Sequence, residues 1–96
     1  MSETPHSVNR LDPPPVFNCV VNVARPDAGG IVVARVVNLP GIEGRGRSER
    51  EALGQVVPAF KAAVAALVAA GQPIPWIASP AAPAQGESQR LIAVHL

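Results

Sequence analysis

The chain has 96 residues, 48% of them apolar but only three of them aromatic (Phe17, Phe60 and Trp76), and its net charge at pH 7 is +1. That length makes one domain with a core of valine and alanine, and the balanced charge excludes the cationic field of a dedicated non-specific nucleic-acid binder. The single cysteine, Cys19, excludes an intrachain disulfide and fits a reducing compartment.

Residues 1–15 hold four prolines and little apolar content, without the apolar centre of a signal peptide, and are expected to form a disordered tail. Residues 16–96 are expected to form a single domain. No apolar run reaches the roughly 18–20 residues that cross a bilayer, so a cytoplasmic protein without membrane contact is expected.

Residues 16–24 (VFNCVVNVA) predict a strand, with Phe17, Cys19, Val21 and Val23 alternating onto one face and Asn18, Val20 and Asn22 onto the other. Pro26, Asp27, Gly29 and Gly30 then supply a turn. Residues 31–38 (IVVARVVN) predict a second strand, which makes a hairpin with the first. It is apolar on nearly both faces, with Arg35 the exception, and so is expected to be covered on both sides. Leu39, Pro40 and Gly41 close it, and residues 42–45 predict a short third strand.

Ser48 stands three residues before Glu51, the spacing of a capping box, in which the serine hydroxyl accepts from the glutamate N–H and the glutamate reaches back to the serine N–H. One long helix is expected over residues 49–70. Leu53, Val56, Val57, Phe60, Val64, Leu67 and Val68 form its apolar stripe, Pro58 a kink, and Gly71, Pro73 and Pro75 its stop. Ala62, Ala65, Ala66 and Ala69 leave the other face nearly uncharged, which suits either plain helix propensity or burial in an oligomer. Trp76 and Ile77 are expected to pack back on the helix end. Residues 77–89 read as a flexible linker, and residues 90–96 (RLIAVHL) as a last strand that either joins its own sheet or is exchanged in a dimer. The expected fold is α+β, a two-layer β-β-β-α-β arrangement with the helix on one sheet face.

Chemistry is sparse. The acids are Glu3, Asp12, Asp27, Glu43, Glu49, Glu51 and Glu87, and no set of them has the clustering that two-metal chemistry needs. Cys19 has His95 as a conceivable strand neighbour, but its apolar face predicts a buried, inert thiol. Two histidines and one cysteine give no metal-ligand spacing. No catalytic residue, cofactor or metal is expected. Arg45, Arg47 and Arg50 cluster at the helix start, where free N–H groups favour anions. They are candidate contacts for a partner protein, RNA phosphate or another anion, set against the plainer reading of a solvated, salt-bridged turn.

Taken in order, Asp27, Gly29 and Gly30 in the turn, Leu39-Pro40-Gly41 after strand two, Gly46, Ser48, Glu51, Ala52 and Leu53 at the helix start, and Gly71, Pro73, Ile74 and Pro75 at its exit resemble the pattern of the HicB-like antitoxin family. The resemblance covers residues 16–75. It implies a partial ribonuclease H fold, self-association, and neutralisation of a small HicA-type mRNA-cleaving toxin by occlusion. Members that bind operator DNA add a C-terminal DNA-binding domain; the chain stops at the last strand, so DNA binding is not expected. Val37, Asn38, Ile42 and Arg47 depart from the family pattern. A stand-alone oligomeric domain and a weak RNA or anion binder are the alternatives.

Overall fold

The computed structural model describes residues 15–96, so nearly all of the expected N-terminal tail lies outside the described residues. The elements are β1 (Val16–Val23), β2 (Val32–Val36), β3 (Glu43–Gly46), α1 (Glu49–Ala69) and β4 (Ser88–His95). The fold is α+β: a four-stranded antiparallel sheet in the order β3-β2-β1-β4, with the helix packed on one face. In the β1–β2 turn, Asp27 Oδ1 accepts the N–H groups of Gly29 and Ile31, each at 2.9 Å, and Gly30 takes a φ of 82°. This is the aspartate–glycine turn chemistry read from the sequence.

Strand β2 is shorter than its apolar run. It stops at Val36, and after Val37 has donated to Val20 O at 2.9 Å the side chain of Asn38 stands in for the ladder. Asn38 Oδ1 accepts from Val20 N at 3.0 Å, and its amide donates to Asn18 O at 2.7 Å. Strand β4 begins at Ser88, so residues 88 and 89 belong to the sheet and not to the linker. It pairs with its own chain's β1 from Val16↔His95 to Val23↔Ser88.

The helix begins as its signals require and in one respect differently. Ser48 Oγ accepts from Glu51 N at 3.1 Å, as expected of the cap. Glu51 does not reach the Ser48 N–H; its Oε1 accepts from Arg47 N at 2.8 Å, one residue upstream. Gln55 Oε1 likewise accepts from Arg45 N at 2.9 Å. The helix thereby closes the free edge of β3 with its own side chains. Two glycines permit this contact. A Cβ on Gly44 would lie 2.5 Å from Ala52 O, and one on Gly46 would overlap the Glu51 Cβ.

The helix runs unbroken through Pro58, and its fully buried residues are Ala52, Val56, Phe60 and Val64. The expected stripe holds in its middle and drifts at its end, where Val68 is 49% exposed. At the C-terminus, Gln72 N donates to Leu67 O and Gly71 N to Val68 O, with Gly71 at φ 68°. That paired reversal is a Schellman motif, and it needs the left-handed residue that glycine supplies.

Against the sheet the helix meets Cys19, Val21, Ala34 and Val36, all buried. Trp76 lies between Phe17 and Phe60, with ring centroids 6.1 Å from each, so the three aromatic residues form one cluster. The other sheet face is only partly covered. The segment before β4 crosses it, held by Asn22 Nδ2 to Ala81 O at 3.1 Å and by an Arg35–Glu87 ion pair at 3.6 Å.

The expectation about bilayer-spanning runs needs correction. Helix α1 is long and apolar enough to cross a membrane by length and composition, with a mean hydropathy of 1.7 over its best 18 residues. The valines and leucines of its core face raise the index most, and the alanine face adds to it. One side of α1 nevertheless packs on the sheet, as the core helix of a globular domain does.

Candidate functional site

The ends of β1 and β3, the starts of β2 and β4, and the first turn of α1 all meet at one end of the sheet, because antiparallel pairing brings them there. They enclose a cleft of about 430 Å³ lined by Val23, Arg25, Val32, Arg47, Glu49 and Glu87, among others.

Both carboxylates of the cleft are engaged. Glu49 is held by Arg90 through two contacts, Nε to Oε2 at 2.8 Å and NH2 to Oε1 at 3.1 Å, and this pairing raises the Arg90 pKa. Glu87 accepts from Ala84 N at 2.9 Å and pairs with Arg35. Arg25 and Arg47 take part in none of the three ion pairs among the described residues. The cleft therefore combines two guanidinium groups, a helix N-terminus and an apolar wall of Val23 and Val32. That set suits a carboxylate or phosphate better than a cation.

The three arginines singled out in the sequence do not converge. Only Arg47 lines the cleft. Arg45 stands on the open sheet face, paired to Glu43 at 3.1 Å with both side chains well exposed, so the pair adds little stability. Arg50 is exposed on the helix. Arg25, which the sequence reading passed over, joins Arg47 in the lining because the end of β1 and the start of the helix lie at the same end of the sheet.

The catalytic alternatives are disfavoured by geometry. Cys19 pairs with Ile92, and His95 with Val16, three positions further along the ladder. Cys19 is fully buried, and burial raises its thiol from the ordinary 9.0 to about 11. Among the described residues, no group of three or more His, Cys, Asp or Glu could hold a metal ion. Asp27 serves a turn and Glu51 the edge of β3.

The shifted thiol has two consequences. Alkylation of Cys19 in the folded protein is expected to be very slow at pH 8 and to become fast only on unfolding, as a mass-spectrometric time course with and without denaturant will read. The unfolded thiol ionises near 9.0 and the folded one near 11. The contribution of Cys19 to stability is therefore fully present below pH 9, falls as the pH rises from 9 towards 11, and is absent from a Cys19→Ala variant.

Comparison of the chain with protein-family models, with curated proteins and with solved structures gave no match.

Proposed function

We propose that this chain is a non-catalytic, HicB-like domain that binds a protein partner, and that the partner is a small HicA-type mRNA-cleaving toxin. The observation that supports this reading is the agreement between motif and fold. The turn at Asp27 to Gly30, the close after β2 at Gly41, the cap at Ser48 and the stop at Gly71 each stand at a junction of a β-β-β-α-β chain. Two further facts agree with a binding role: Cys19 is sealed in the core, and the alanine face of α1 carries few charges, with Ala62, Ala66 and Ala69 exposed. A second reading, binding of RNA or another anion at Arg47 and Arg25, is supported by the cleft. The chain as a stand-alone oligomeric domain without a toxin is the third.

The decisive experiment is co-expression with a small basic protein encoded beside this chain in its native host. A stable complex in which cleavage of mRNA by that protein is suppressed is the expected result. Undiminished cleavage with no complex sinks the toxin reading. Binding of a single-stranded RNA probe that weakens with salt and is lost in an Arg25→Ala/Arg47→Ala double variant favours the second reading instead.

A further inference from the structure

The two edges of the sheet differ. A strand at an edge carries unpaired N–H and C=O groups that will pair with another strand unless something blocks them. The β3 edge is blocked: it is four residues long, and Gln55 and Glu51 take the N–H groups of Arg45 and Arg47.

The β4 edge is eight residues long and contains neither proline nor lysine. Backbone groups alternate in direction along an antiparallel ladder. Leu96 N–H points inward to Pro15 O, so Ser88, Arg90, Ile92 and Val94 also turn inward. Gln89, Leu91, Ala93 and His95 turn outward. Among the described residues, one contact meets this outward set, Arg90 NH1 to Gln89 O at 3.3 Å.

The same outward residues lie on the sheet face away from the helix, where Leu91 is 69% exposed, and Val16, which pairs with His95 further along the ladder, is 49% exposed. Open backbone groups and exposed apolar side chains thus coincide on one strand.

From this coincidence we propose that β4 is the self-association edge of the protein, and that it pairs antiparallel with β4 of a second copy to make one continuous eight-stranded sheet. An antiparallel strand complements itself when the two copies are related by a two-fold axis. Any register centred on a residue of β4 keeps the helices on one side; centring on Ala93 sets each Leu91 against the partner's His95 and leaves Gln89 without a partner. Centring on Arg90 sets two arginines against each other, which disfavours it. Centring on Ile92 pairs Leu91 with the partner's Ala93 and leaves His95 facing only Gln89. Centring on Leu91 packs the two exposed leucines together, so this register is the one the side chains favour. The inference stands on the sheet edge alone and is independent of the toxin reading.

Sedimentation of the full chain tests it. The expected mass is twice that of the 9.9 kDa chain at micromolar concentration. Leu91→Lys replaces a side chain that folding leaves exposed, and Ala93→Pro removes an outward N–H that no internal bond uses. Each is expected to weaken dimerisation more than about tenfold while leaving the circular dichroism unchanged. Arg45→Ser, on the blocked edge, is expected to leave it unaltered. Should either β4 variant fail to fold, hydrogen exchange of the parent decides: the amides of Leu91, Ala93 and His95 are expected to be protected at high concentration and to lose protection on dilution. A monomeric parent, an undiminished dimer in Leu91→Lys and Ala93→Pro, or protection that persists on dilution would each overturn the proposal.

Discussion

Replacing Phe60 by alanine is expected to destabilise the protein by about 3–5 kcal/mol, the usual range for emptying a fully buried aromatic site. Phe60 is the largest fully buried side chain and is 0% exposed. The fully buried residues on the helix face of the sheet are valine, alanine and cysteine, which are too small to collapse into the space. Trp76 loses one of its two ring contacts as well. A domain of this size has a total stability on the order of 5–15 kcal/mol, and small domains sit at the lower end. The melting temperature is therefore expected to fall by about 12 °C or more. Trp76 is the single tryptophan, so its fluorescence reports the loss directly. Phe60→Leu, which keeps most of the volume, is expected to fall much less. A shift under about 5 °C for Phe60→Ala would mean that the ring is not the centre of the core.

Much of this fold is legible in the sequence because its signals are local. Ser48 marks the helix start within one residue, Gly71 marks its end, and the alternation of Cys19, Val21 and Val23 names the face that the helix covers. What escapes the sequence depends on groups brought together from a distance. Glu51 is placed to cap Ser48, yet its carboxylate finds the Arg47 N–H because the β3 edge lies against the first turn. Asn38 looks like a strand residue and serves as a side-chain substitute for one. Asn22 falls on the polar face by alternation, yet it is 1% exposed because the segment at Ala81 crosses over it.

The candidate site follows the same division. Arg45, Arg47 and Arg50 are neighbours in sequence, but a strand and a helix point them in different directions. Arg47 and Arg25 are 22 positions apart, and the antiparallel sheet returns them to one cleft. Gly44 and Gly46 flank Arg45 in a strand of four residues. Their role is steric, because they set how closely the helix approaches the sheet.

That role makes a matched pair of glycine substitutions the sharpest test of the packing. Gly44→Ala is expected to destabilise the protein by about 3 kcal/mol, the upper part of the range for overpacking a core. The added Cβ would stand 2.5 Å from Ala52 O and 2.9 Å from Val56 Cγ2. A flexible side chain could swing away from such a contact. A helix carbonyl cannot, so relief requires the whole of α1 to lift from β3. That shift separates Gln55 from the Arg45 N–H and loosens Val56 in the core. Gly54→Ala makes the same chemical change ten residues further on, inside the helix, where a Cβ meets nothing within 4 Å. It removes the backbone freedom of glycine from the unfolded chain and is expected to stabilise by about 0.4–1 kcal/mol. Thermal melts of the two variants should therefore move in opposite directions. In Gly44→Ala, hydrogen exchange at the Arg45 and Arg47 amides should accelerate along with global unfolding. Equal and small shifts in both variants would mean that the helix does not rest on the glycines of β3.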